Sequence, residues 1–229
     1  MFQTATPVIR NLIIINILFY LATMVIGDGG DTPLPFLTEQ FGAYYPASPM
    51  FRPWQILTHM FMHSHQGITH IFFNMFALYM FGVQLERVWG SRRFLIYYFV
   101  CGLGAFALHE GVNAYEIFRM TGSIAPAIGD FPNEMAAFQG YYIPVVGASG
   151  AVFGILLGFG MLFPNTRLML LFPPIPIKAK VFVFIYGAIE LFLAFGNPGS
   201  NIAHFAHLGG MLFGYILLKK WQNDRDIFF

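Results

Sequence analysis

Ser149 sits in the string Gly147-Ala148-Ser149-Gly150, and His207 sits in Ala206-His207-Leu208-Gly209-Gly210. A serine hydroxyl is a weak nucleophile until a neutral imidazole within hydrogen-bond reach takes its proton, so these two side chains are the minimum of an acyl-transfer site. Attack on a carbonyl leaves an oxyanion. His70 and Asn74, one helical turn apart and therefore on one face, offer side-chain N–H donors for it. The backbone N–H of Ser149, at a helix start, has no intrahelical partner and is a third donor. No carboxylate is obviously placed to orient the imidazole, so a Ser149–His207 dyad is the expectation.

Such a site needs two helices in near backbone contact. Gly150, Gly154 and Gly158 recur at four-residue intervals after the serine, and Gly210 and Gly214 recur likewise after His207. Side-chain-poor faces of this kind let helices approach closely inside a membrane. The composition says that a membrane is where they are. Of 229 residues 57% are hydrophobic, 18% aromatic and only 10% charged, against roughly 25% charged in a soluble domain. The single cysteine, Cys101, excludes an internal disulfide, and a net charge of +1 without a basic block excludes nucleic acid as a partner.

Six apolar runs approach bilayer length, at 8–26, 69–85, 94–108, 149–163, 179–195 and 202–218. The expected fold is an all-α membrane protein, a six-transmembrane helical bundle in one domain over 1–229. Alternating short segments of a β-barrel are absent, and the last three runs do not echo the first three as a repeated transporter would. Ten of the twelve Lys and Arg residues fall on the side holding both termini, 86–93 and 164–180; only Arg52 and Arg119 fall on the other. The positive-inside rule therefore puts both termini in the cytoplasm of a cell (inner) membrane, and Ser149 at the exported end of its helix. The exported stretch 51–61, with Tyr44, Tyr45 and Trp54 nearby, reads either as partly embedded in the membrane interface or as an ordinary folded loop.

Polar side chains within apolar runs are functional candidates by default. His70, Asn74, Ser149 and His207 are four of them, on three helices. Glu190, in the fifth run, is either a protonated carboxyl donating a hydrogen bond or a group that gates the site. His204 rivals His207 as a base and is assigned a packing or hydrogen-bonding role. His59, His63 and His65 invite a zinc site but lack acidic or cysteine companions, so no metal or other cofactor is expected. Other intramembrane hydrolase chemistries fail: His109-Glu110-Gly111-Val112-Asn113 lacks the second histidine of a zinc protease, and no pair of aspartates falls inside the runs.

His70-Ile71-Phe72-Phe73-Asn74, Gly147-Ala148-Ser149-Gly150, and Ala206-His207-Leu208-Gly209-Gly210 with Gly214 resemble, in order, spacing and span, the HxxxN, GxSG and AHxxGxxxG patterns of the rhomboid intramembrane serine proteases. The resemblance runs from about Trp54 to Leu218. It implies that Ser149 is the nucleophile and His207 the general base, that His70, Asn74 and the Ser149 amide bind the oxyanion, and that Phe153 packs against the catalytic imidazole. It also implies that the fifth span and the loop after it are a gate and cap for an entering substrate helix. Glu86-Arg87 looks like a family feature and reads otherwise as a solvated helix end. The family usually has Arg after the loop tryptophan, where this chain has Gln55. The implied activity is cleavage of single-span or multi-span membrane-protein substrates within the lipid bilayer, at segments weakened by Gly, Ala, Ser or Pro near the exported end. The rival readings are a catalytically silent rhomboid-like protein that binds clients, and a channel or transporter.

Overall fold

The computed structural model describes residues 4–27, 34–169, 174–196 and 201–223, with backbone alone at 201–203. The chain is mostly helical. Its helices are α1 (Pro7–Ile26), α2 (Phe36–Phe41), α3 (Gln55–Thr58), α4 (Thr69–Thr121), α5 (Glu134–Tyr141), α6 (Ser149–Leu162), α7 (Ala179–Gly196) and α8 (Asn201–Asn223). Among the described residues, α1, α4 and α7 are long and apolar enough to cross a membrane, and α6 is a shorter apolar helix.

The 53 residues of α4 are two helical arms joined at Gly90, whose φ of 75° and ψ of 160° interrupt the helix. That backbone conformation suits glycine because it has no Cβ to clash. The second arm does not stop near 108 as the apolar pattern suggests but continues to Thr121, with His109, Glu110 and Asn113 buried along it. Those residues break the apolar run without breaking the helix, because they are buried within the fold.

Glu86, at the end of the first arm, is buried rather than solvated. It accepts from the amides of Val8 (3.1 Å) and Ile9 (3.0 Å), from the Ser91 hydroxyl (2.6 Å) and from Thr6. First-turn amides of a helix have no internal partner, so a carboxylate from another element stabilises that end of α1. Arg87 beside it donates to the Thr4 carbonyl at 3.2 Å.

The main core joins α1, both arms of α4, α6 and the end of α8, with Tyr97, Tyr98, Leu78, Leu85, Phe94 and Ile155 fully buried. A smaller core of Tyr45, Ile117, Phe131, Ala137 and Tyr141 holds together the loop around α5. Among the described residues, two short strands, β1 (Arg167–Met169) and β2 (Pro176–Lys178), pair antiparallel, with Arg167 opposite Lys178. They fall in the proline-bearing connection between α6 and α7.

Candidate active site

Ser149 is the first residue of α6, and three backbone contacts fix the approach to it. Ala43 and Val145 exchange both ladder hydrogen bonds (2.9 and 2.7 Å), and the amide of Gly147 donates to the His59 carbonyl at 2.9 Å. The φ of Gly147 is +132°, and a side chain there would also press on the His70 ring, with Cε1 and Nε2 both 3.1 Å from the Cβ position. Glycine is needed on both counts. Ser149 Oγ lies 3.5 Å from the same point, so His70 and Ser149 flank Gly147 together.

His70 has a defined donor. The Ser64 amide donates to its Nδ1 at 3.3 Å, which puts the proton of the neutral ring on Nε2, the nitrogen facing Gly147. Asn74 is buried, and its Nδ2 donates to the His70 carbonyl at 2.9 Å, leaving a second amide hydrogen. His63 stands against His70, ring centres 5.1 Å apart.

α8 reaches the serine through glycine. A Cβ on Gly210 would overlap the Gly150 carbonyl, and one on Gly150 would lie 3.5 Å from the Ala206 carbonyl. The predicted glycine faces thus meet at the serine end of α6. Farther along, the pairing changes: a Cβ on Gly158 or Gly214 would meet Tyr97 of α4, whose hydroxyl donates to the Gly154 carbonyl at 2.7 Å.

His207 lies between the two α8 backbone contacts, and its ring is stacked on Phe153 with centres 4.1 Å apart and planes 8° from parallel. Phe153 is one turn beyond Ser149, so the imidazole is docked on the part of α6 that begins with the serine. A carboxylate stands on its other side. Glu190 Oε2 is 3.1 Å from His207 Nδ1 and 2.6 Å from His204 Nδ1. The sequence shows no carboxylate obviously placed to orient this imidazole, and the dyad expectation rests on that. Glu190 lies on α7, and linear spacing gives no way to know which face α7 turns to α8; its only hint is the i, i+3 pair His204 and His207, which aims two rings the same way.

The other loop histidines do not gather. His59 Nδ1 pairs with the Gln55 carbonyl at 3.0 Å, and both residues are buried. Gln55, which replaces the family's arginine, accepts from the Arg52 amide at 2.8 Å and braces the loop from inside. Trp54 is half exposed. A groove of about 570 Å³ lies in the second loop among Ile128, Met135, Phe138 and Tyr142, away from Ser149 and His207. Of the proposed cap loop, Gly196 to Asn201, residues 197–200 lie outside the described residues.

The chain is 33% identical over 162 residues to "Rhomboid protease GluP" of Bacillus subtilis, covering 71% of this chain and 25% of that protein. It is 35% identical to "RHOMBOID-like protein 12, mitochondrial" of Arabidopsis thaliana over 71% of this chain and 45% of the relative. It is 26% identical to "Rhomboid protease AarA" of Providencia stuartii over 90% of this chain and 69% of the relative. The chain thus spans less than half the length of the first two. The model of the rhomboid domain matches residues 51–220, a stretch that holds His70, Asn74, Ser149, Phe153, Glu190 and His207 alike, and the chain belongs to the rhomboid family.

Proposed function

We propose that the protein is an intramembrane serine endopeptidase that cleaves transmembrane segments of membrane-protein substrates near the exported face. The observation that carries this reading is the stacking of His207 on Phe153, one turn from Ser149, where α6 and α8 are in backbone contact. Core packing alone has no use for a partly exposed imidazole held in plane beside a serine.

In the reaction, Ser149 Oγ attacks the scissile carbonyl and its proton passes to His207 Nε2. The Glu190 carboxylate, at ion-pair distance from Nδ1, stabilises the imidazolium that forms. Nε2–H of His70, the free amide hydrogen of Asn74 and the Ser149 amide receive the oxyanion. The imidazolium then protonates the leaving amine, and water hydrolyses the acyl-enzyme by the same steps reversed.

Water must reach a site in lipid. The 14 residues of α6 rise about 21 Å, short of a hydrocarbon core of about 30 Å. With the far end of α6 at the cytoplasmic interface, beside Arg167 and Lys178, Ser149 lies about 9 Å below the exported edge of the hydrocarbon core. α1, the two arms of α4, α6, α7 and α8 are then six spans with both termini cytoplasmic. A helical substrate hides its carbonyls in its own hydrogen bonds, so cleavage selects segments that unwind easily, with Gly, Ala, Ser or Pro near the exported end and a small residue before the scissile bond.

The test is incubation of the purified protein in detergent with a tagged single-span reporter. Wild type cleaves, while Ser149→Ala and His207→Ala lose at least about a thousandfold in rate. Equal product from all three would end the proposal, and reporter that is bound but never cut would favour the client-binding reading.

A further inference from the structure

We propose that Glu190, His204 and His207 form a zinc site whose occupation switches the active site off. The donors are two imidazole nitrogens and a carboxylate oxygen, all within 4.8 Å of one another, contributed by two helices. Glu190 Oε2 stands 2.6 and 3.1 Å from the two Nδ1 atoms. Bonds of about 2.05 Å in a tetrahedron put ligand atoms about 3.3 Å apart, so small side-chain rotations complete the geometry.

Two features favour a metal over a closed hydrogen-bonded cluster. His207 Nδ1 is buried and makes no hydrogen bond among the described residues, although the Glu190 oxygen is at ion-pair distance. Its contact with Glu190 is thus not aligned as a hydrogen bond, so shifting the ring proton to Nε2 would free Nδ1 for a metal at little cost, and Phe153 holds the ring plane. The side chains of both histidines are 18% exposed and that of Glu190 is 10% exposed, so an ion and a fourth ligand, water, can enter a site that still shelters its charge. Two nitrogens and one oxygen suit Zn²⁺; Mg²⁺ and Ca²⁺ prefer all-oxygen shells.

The consequence for catalysis rests on the proposed function. A neutral imidazole bound to metal through Nδ1 carries its one proton on Nε2. The nitrogen that must accept the serine proton is then a donor, and no net proton need be released. Zinc thus holds the base in the wrong tautomer and removes the Glu190 charge from it.

Binding is measured on metal-free Ser149→Ala in detergent by equilibrium dialysis against zinc chloride, so that activity plays no part. One zinc per chain is expected, unmoved by millimolar Mg²⁺ or Ca²⁺, and reduced at least tenfold in affinity by Glu190→Gln or His204→Asn. Cobalt added to the unmutated chain supplies a readout that needs no variant: the intense visible bands of four-coordinate Co²⁺ appear and are displaced by zinc. Absence of stoichiometric binding, unchanged affinity in both variants, or only the weak bands of octahedral cobalt would overturn the site. With the reporter, zinc is expected to slow the wild type at least tenfold, reversibly by chelator, and to slow His204→Asn at least tenfold less relative to its own zinc-free rate. Zinc bound with no slowing would overturn the switch. A wild type that never cleaves would count against the endopeptidase reading, while the dialysis still decides the metal site.

Discussion

In the proposed mechanism Phe153 acts through the plane of the His207 ring it faces. A stacked aromatic pair is worth about 0.5–1.5 kcal/mol beyond the area it buries, and about 1.4 kcal/mol is a factor of ten in rate. Phe153→Ala is therefore expected to lower kcat about tenfold with KM little changed, and Phe153→Tyr to restore most of it; a loss confined to KM would show that the ring serves substrate binding instead. His59 and His63 make a different contribution, to stability. Burial holds the imidazole of His59 down to about 4, partly offset by its bond to the Gln55 carbonyl, and burial together with the neighbouring His70 holds His63 down to about 3. In the unfolded chain both titrate at about 6.5, so below that pH the unfolded state binds protons the folded state refuses. Their stabilisation is complete above about pH 6.5 and is lost progressively as the pH falls through 4 and 3. The melting temperature in detergent should drop between pH 7 and pH 5, and His63→Phe should shrink the drop. A melting temperature flat across that range would show that these rings are not buried neutral.

The contact between α6 and α8 can be tested one methyl group at a time. A Cβ on Gly210 meets the Gly150 backbone, which cannot rotate aside, whereas a Cβ on Gly111 in α4 meets nothing within 4 Å. Gly210→Ala should cost about 1–3 kcal/mol of stability and separate Ser149 from His207, while Gly111→Ala should be neutral or stabilising by up to about 1 kcal/mol, as alanine is in a helix interior. Thermal unfolding and reporter cleavage of the two variants distinguish the close contact from a general intolerance of substitution. This contact was legible in the sequence because helical periodicity maps spacing directly onto a face: Gly150 and Gly154, Gly210 and His207 need only the 3.6-residue turn to line up. The clustering of Glu190 with His207 was not legible, because it depends on how α7 is rotated against α8, and no local pattern fixes that. The extension of α4 to Thr121 was hidden for a related reason. An apolar run stops at the first buried polar groups, and His109, Glu110 and Asn113 end it while the helix continues to Thr121. The alternative reading of Glu86 as a solvated helix end stays open in the sequence because its partners at the start of α1 are 77 or more residues away.

At the scale of the molecule, α4, α6 and α8 form the centre and α1 and α7 the outside. α7 buries Ala179, Val183, Glu190 and Ala194, a single stripe, and turns Phe184, Phe192 and Phe195 outward at 75%, 75% and 72% exposure. α1 likewise buries Ile9, Leu12, Asn16 and Thr23 while Leu18, Met24 and Val25 are exposed. Rows of bare phenylalanine and leucine on a helix surface are costly in water and cost nothing in lipid. The family's integral-membrane character thus follows from the outer helices, and the charge distribution proposes an orientation that labelling can test. Because Cys101 is the only cysteine and is fully buried, introduced thiols can be read without background. Gly129→Cys, exposed in the second loop, should react with a membrane-impermeant maleimide on intact cells; Lys220→Cys, exposed near the end of α8, should react only after lysis. The opposite pattern would invert the bundle and place Ser149 at the cytoplasmic face, so that substrates would have to be weak at their cytoplasmic ends. Labelling of both thiols on intact cells would require an even number of crossings between them, so α6, α7 and α8 could not all span; Arg92→Cys, in the bend between the arms and four proposed spans before Lys220, should share its side and react only after lysis.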